Sequence, residues 1–296
     1  VGEAARLLEV VATGPMASVQ DLGRPGRGDL GVGRSGAADR GSLRLANRLL
    51  ANPEGAAALE VTLGGLAVRA HGDLLIALSG APCRATVVDA SGRARDIGHH
   101  AVERLPDGAT LRLGVPRCGL RTYVAVRGGL DVPVVLGSRA TDFMAGLGPE
   151  LPRPGTLLPV GPPPGRFPGV DLAPVAEPRD DVPLLAVLPG PRDDWFTSGA
   201  LRALCAEPYE VTADSNRVGI RLRGPVLERV RDGELPPEGM VPGALQVPPS
   251  GQPTLFLADH PVTGGYPVIA VVRTRDVDRA AQVRPGQRVR FRLSPH

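Results

Sequence analysis

The stretch GALQVPPSGQPTLFLADHPVTGGYP, residues 243–267, decides how the chain is read. ALQVP is a short strand, PPSGQP a rigid turn, TLFLAD an apolar strand, and PVTGGYP a turn built almost wholly of small residues. Two amides (Gln246, Gln252), an acid (Asp259), a histidine (His260) and a phenol (Tyr266) hang on that frame. The same alternation of short apolar runs and turn residues continues in both directions. LLEVVATG, ALEVTLGGLAV, LLIALSG, RATVVDA, ATLRLGV, RTYVAV, LLAVLPG, YEVTA, GIRLRG, PVIAVVR and RVRFRL are each bounded by Gly, Pro, Asp or Ser. In the last run Val289, Phe291 and Leu293 are expected to face inward, with Arg288, Arg290 and Arg292 on a solvated face.

Glycine (39) and proline (32) are abundant without a collagen period, as many turns and many short strands require. Helical spacing is confined to three segments. AADRGSLRLANRLLAN repeats Leu43, Ala46, Leu49 and Leu50, with Asp39 at the cap position and Pro53 after the end. DDWFTSGALRALCAE reads as a second helix capped by an Asp, and RDVDRAAQV as a third, stopped by Pro285-Gly286. Residues 159–183 hold eight prolines and no periodicity, the mark of a polyproline-like connector. The expected organisation is mainly β, with a domain over 1–165, a Pro-rich linker over 166–182 and a second domain over 183–296.

Composition removes several function classes. A net charge of +3 without basic, aromatic-interleaved runs leaves no nucleic-acid footprint. The longest apolar runs, about ten residues, fall short of the ~20 that a spanning helix needs. The opening VGEAARLLEVV lacks a secretory pattern, and Cys83, Cys118 and Cys205 read as free thiols of a reducing compartment, so a cytoplasmic location is expected. All 34 basic residues are Arg. Without Lys the chain cannot form a lysine Schiff base, supply a phosphate-loop lysine or carry biotin on its own side chains.

GRGDLG (26–31) matches G-x-G-x-x-G only formally: Pro25 precedes it and no helix opens directly after it, so it reads as a glycine-rich loop. There is no G-x-S-x-G elbow, and the five histidines lack metal-ligand spacing, so no metal site is expected. Two polar clusters remain. In SVQDLGRPGRGDLGVGRSGAADR, Asp21, Arg24, Ser35 and Asp39 stand on a loop whose glycines permit close approach of a ligand, with Arg24 offering a planar fork to a carboxylate. A turn-and-cap network, with Asp39 closing the helix start, accounts for the same residues. In the 243–267 stretch, backbone N–H groups of Thr263, Gly264 and Gly265 with the amides of Gln246 and Gln252 can hold an oxyanion. Asp259 is then base or orienter, and Tyr266 presents a hydroxyl. A well-built pair of β-turns is the alternative reading.

Taken in order, these motifs resemble the biotin-dependent carboxyltransferase family, whose members are also called the C subunit of 5-oxoprolinase or allophanate hydrolase subunit 2. The resemblance rests on SVQDLGRPG (18–26), the SGA…D…AN stretch from Gly31 to Asn47, ALE (58–60), YVAVRGG (123–129), GSRAT (137–141), GPRDDWF (190–196), RVGIRLRG (217–224), the 243–267 stretch and AQVRPG (281–286). Pro237 stands where a Ser is expected, and Ala51-Asn52 where Gly-Asn is. The resemblance implies two cyclophilin-like β-barrel domains with a few short helices. It implies a cyclophilin-like partner, the B subunit, and a third component, the A subunit. It implies a role in ATP-dependent opening of 5-oxoproline to glutamate, with ATP and Mg2+ engaged at the level of the complex and no biotin attached to this chain. The site residues it implies are Gln246, Asp259 and Tyr266 as catalytic, with Asp21, Arg24, Ser35, Asp39, Gln252, Thr263, Gly264 and Gly265 around the substrate. The alternatives are a non-enzymatic regulator that antagonises a kinase inhibitor and a urea- or allophanate-type carboxyltransfer subunit; a peptidyl-prolyl isomerase rests on fold analogy alone.

Overall fold

A computed structural model describes residues 6–167, 169–170, 172–175 and 181–294. The chain is mainly β and divides into two compact units. The first comprises the described residues of Val1–Arg24, Asp39–Asp142 and Gly146–Arg179; the second comprises those of Pro25–Ala38, Phe143–Ala145 and Asp180–His296.

In the first unit, β1 (Leu7–Thr13), β2 (Met16–Gln20), helix α1 (Arg40–Leu49), β3 (Ala58–Thr62), β4 (Leu66–His71), β5 (Leu74–Gly80), β6 (Ala85–Val88), β7 (Ala94–Ile97), β8 (Val102–Leu105), β9 (Thr110–Leu113), β10 (Arg121–Val126) and β11 (Leu157–Pro159) follow in order. They form two sheets, β11-β1-β4-β9-β6-β7 and β2-β3-β10-β5-β8. Val10, Val68, Val87 and Leu111 from one sheet and Val19, Leu59, Ile76 and Val124 from the other share a single core. Strand β10 is buried along its whole length because α1 packs over it and β5 on the face away from that core. Asp39 caps α1, its Oδ1 accepting from Ser42 N at 2.9 Å. The missing glycine after α1 has a structural consequence: Ala51 sits at φ 53°, a left-handed conformation in which glycine is unstrained.

Of the expected linker, residues 168, 171 and 176–180 lie outside the described residues. The described part is docked on the first unit. Arg127 donates to Pro164 O and Arg166 O and lies 5.3 Å from the Phe167 ring centroid, and Leu172 bridges to Ala101.

In the second unit, β12 (Leu184–Pro189), α2 (Ala200–Ala206), β13 (Tyr209–Val211), β14 (Gly219–Arg223), β15 (Glu238–Gly239), β16 (Ala244–Gln246), β17 (Thr254–Phe256), β18 (Thr263–Gly264), β19 (Val268–Val272), α3 (Thr274–Ala280) and β20 (Arg288–Leu293) follow. Seven of the strands close a barrel in the order β12-β19-β16-β17-β14-β13-β20. The closing contact is parallel, from Leu184↔Arg290 to Val187↔Leu293. Val289 and Phe291 point into the barrel core as their alternation predicts. Leu293, expected inside, is 40% exposed, because it is the last residue of β20 and lies past the packed layers. The second expected helix is also corrected. Asp193–Trp195 forms only a 3-10 turn, and Phe196 then adopts extended backbone (φ −117°) and becomes buried. Helix α2 starts after Gly199 with no side-chain cap.

Among the described residues no helix is long and apolar enough to cross a membrane.

Candidate functional site

The 243–267 stretch forms β16, β17 and β18 with the turns between them. Register is broken where β16 meets β19: Leu245 pairs with Ala270 but Gln246 with Val268. A bulge of this kind re-aims a side chain. Gln246 Nε2 donates to Tyr266 O at 3.2 Å and lies 3.9 Å from Met240 Sδ. Gly264 makes room for that amide, since a Cβ there would stand 2.5 Å from Nε2. Met240 packs with Phe256, and the Phe256 ring centroid is 6.1 Å from that of His260. These contacts lead from Gln246 to the Asp259-His260 dipeptide.

Asp259 is almost completely buried and held on both oxygens. Arg217 Nε donates to Oδ2 at 2.8 Å and Nη2 to Oδ1 at 3.1 Å, while Ser35 Oγ donates to Oδ1 at 2.6 Å. Arg217 Nη2 also donates to Gly36 O at 2.6 Å, and its guanidinium lies 5.6 Å from the Phe143 ring centroid. Ser35 sits at φ 51°, and such backbone strain gathers at functional sites. Both oxygens of that carboxylate are thus engaged in charge-assisted bonds.

Sequence reasoning gave His260 no role. Its Nδ1 is 2.8 Å from Pro261 O, which assigns the ring proton to Nδ1 and leaves Nε2 an acceptor. Burial holds the imidazole below its ordinary range, against the opposing pull of the Pro261 hydrogen bond and the Asp259 charge. The result is a neutral histidine beside a fixed carboxylate.

The expected site residues separate into two groups. Ser35, Asp259, Gln246, Thr263, Gly264, Gly265 and Tyr266 all belong to the second unit. Thr263 and Gly264 pair with Gly239 and Glu238, and Gly265 O accepts from Leu235 N at 2.8 Å, so the turn is clamped along one side. The Tyr266 hydroxyl has no hydrogen-bond partner among the described residues. Asp21, Arg24 and Asp39 belong to the first unit and are framework. Asp21 accepts from Gly23 N, Ser138 Oγ and Arg139 N, each at 2.7 Å. Arg24 is 1% exposed and its fork is occupied by Asp142 at 3.1 Å and Ala140 O at 2.6 Å, so it does not present a cradle to a carboxylate. Asp39 is the α1 cap, and its backbone N donates to Tyr123 OH at 2.8 Å. Gln252 closes on one residue, accepting from Gly224 N at 2.8 Å and donating to Gly224 O at 3.1 Å. Among the described residues no cluster of three or more His, Cys, Asp or Glu side chains could hold a metal ion.

The second unit is thus a closed barrel with one parallel seam that carries a buried Ser–Asp–Arg cluster and a bulge-aimed amide. The chain belongs to the carboxyltransferase domain family, subdomain A and B, whose model matches residues 30–293. It is 38% identical over 301 aligned residues to the C subunit of 5-oxoprolinase from Escherichia coli K12, covering 96% of this chain and 90% of that one. It superposes on the crystal structure of TTHA0988 with a TM-score of 0.87 at 36% identity, over 98% of this chain and 56% of that chain, so it spans a little over half of that solved protein. It superposes on the Kluyveromyces lactis urea carboxylase with a TM-score of 0.86 at 30% identity, over 98% of this chain and 28% of that one.

Proposed function

We propose that this chain is a subunit of an ATP-dependent 5-oxoprolinase, in which it binds and polarises a small cyclic amide beside a partner subunit. The observation that carries this reading is the similarity to the C subunit of a 5-oxoprolinase along 90% of that subunit's length. The geometry supports it. One N–H of Gln246 rests only on a thioether sulfur, a weak acceptor, and a lactam carbonyl oxygen is a better one. Gly264 borders the same amide, with Thr263 and Gly265 its chain neighbours, Tyr266 offers a free hydroxyl, and His260 Nε2 is a neutral acceptor for the proton of an attacking water. Ser35, Asp259 and Arg217 hold the His260 segment in place.

The GRGDLG loop is not a phosphate cradle. It runs into a three-residue 3-10 turn at Gly28–Leu30, not into a strand-loop-helix cradle, and the chain has no lysine. In this reading ATP is bound elsewhere in the complex, and no step is assigned to it here. A second reading, transfer of a carboxyl group to urea, draws on the likeness to urea carboxylase; this chain would then need a separate biotin-bearing partner.

The test is ATP-dependent release of glutamate from 5-oxoproline by this chain together with the proteins encoded beside it, and by the same mixture without it. Turnover that requires this chain is the expected result. Gln246→Ala should lower that turnover by about 10²-fold with the complex intact. A complete complex that leaves 5-oxoproline untouched but carboxylates urea in the presence of a biotin carrier would replace the first reading with the second.

A further inference from the structure

The first unit carries a cavity of about 560 Å3 that the proposed reaction does not use. It lies on the outer face of the β5–β8 pair. Leu75 and Arg104 are directly opposed there, Asp73 precedes Leu75 by two positions, and Val102 follows the same face of β8. Phe167 forms a further wall, held beside the Arg127 guanidinium. Arg127 is itself buried and anchored by Leu50 O at 2.9 Å and by the backbone of the connector, while the Phe167 ring that it holds is 80% exposed at the rim of the cavity.

The lining has a definite chemical order. Leu75, Val102, Pro106 and Phe167 make an apolar body. Arg104 supplies a cation that no ion pair engages among the described residues, and its fork suits a carboxylate. Asp73 uses Oδ1 to accept from Asp107 N at 2.9 Å, which leaves its second oxygen for a cationic donor. Asp73 lies one residue before β5, and Leu75, two positions on, is directly opposed to Arg104, so both charges border the cavity and one compact molecule can reach both. A simple anion would meet Asp73 and a simple amine would meet Arg104. The volume suits a small molecule rather than a folded partner.

We propose that this cavity binds a free α-amino acid with an apolar side chain, its carboxylate on Arg104, its ammonium on Asp73 and its side chain against Leu75, Val102 and Phe167. The site is made of residues other than those assigned to lactam binding.

Isothermal titration of the full chain with L-phenylalanine tests this, with 3-phenylpropionate and phenethylamine as probes lacking one charge each. L-Phenylalanine should bind, and each single-charge probe should bind about tenfold or more weakly. Arg104→Gln and Asp73→Asn should each weaken L-phenylalanine about tenfold. Asp73→Asn should leave 3-phenylpropionate unaffected or improved, and its amide oxygen still accepts from Asp107 N. Leu75→Trp, which fills the cavity, should abolish binding; an unchanged melting temperature confirms that these variants fold. Absence of L-phenylalanine binding at about 10 mM, or binding indifferent to Arg104→Gln and Leu75→Trp, overturns the proposal. Equal binding of 3-phenylpropionate and L-phenylalanine overturns the assignment of Asp73.

Discussion

Arg217 and His260 show how the second unit makes a buried polar site in the segments flanking β14 and β17. A buried carboxylate without a partner costs several kcal/mol, and Asp259 avoids this by accepting two bonds from Arg217 and one from Ser35. Arg217→Ala therefore leaves a charge uncompensated, and should lower stability by roughly 3–5 kcal/mol in urea denaturation. Arg217→Ala with Asp259→Asn should recover part of that loss, since the buried charge is gone. His260 gives a pH dependence of defined sign. Its folded-state pKa lies below the ordinary 6.5, so the unfolded chain binds the proton more readily. The contribution is fully present above about pH 6.5 and declines as pH falls from there towards the folded value. The urea midpoint should accordingly drop on acidification through that window, and His260→Gln should flatten the slope. A midpoint with the same slope in the variant would show that another group governs the limb. None of this was legible from spacing: Ser35 and Asp259 are 224 positions apart, and Arg217 was read only as the start of a family motif, two residues before the GIRLRG strand run, with no mark of its buried fork.

At the scale of elements, strands with an apolar run were legible and those built largely of polar residues were not. β20 was legible because its arginines alternate with Val289 and Phe291. β2 was not, because its buried residues include Ser18 and Gln20, which read as polar surface until Gln20 Nε2 is seen to donate to Thr141 O at 3.0 Å. β7 was missed for the opposite reason: it is an exposed edge strand with three of its four residues in solvent. Helix α1 announced itself through Asp39 and the Leu43–Ala46–Leu49 stripe. Its end carries a testable strain. Ala51 holds a left-handed conformation that costs a non-glycine residue roughly 1–2 kcal/mol, part of which glycine returns as unfolded-state entropy. Ala51→Gly should thus raise stability by about 0.5–1 kcal/mol, read as a shift in thermal midpoint. A fall in stability would show that the backbone is relaxed there.

For the whole molecule, the decisive contact is the parallel pairing of β12 with β20, the first and last strands of the barrel. It joins residues more than a hundred positions apart and gives β20 two neighbours, β12 and β13. Removing residues 288–294 takes away Val289 and Phe291 and leaves β12 and β13 each with an open edge. The truncated chain should fail to fold its second unit and should aggregate, as measured by near-ultraviolet circular dichroism and light scattering. A soluble, cooperatively unfolding truncate would show that closure is dispensable.

The sequence by itself determined the β class, the turns, the Asp39 cap of α1 and the family, because these depend on local backbone preference, on two-residue alternation and on the order of motifs along the chain. Only the tertiary structure decided which polar residues meet. Arg24, Asp21, Asp39 and Gln252 have the composition of a binding site, yet each is satisfied inside the fold. Ser35, Arg217, Asp259 and His260 come together from three distant segments. The physical reason is that a buried polar atom must find a partner wherever the folded chain brings one, and that requirement leaves no period in the sequence.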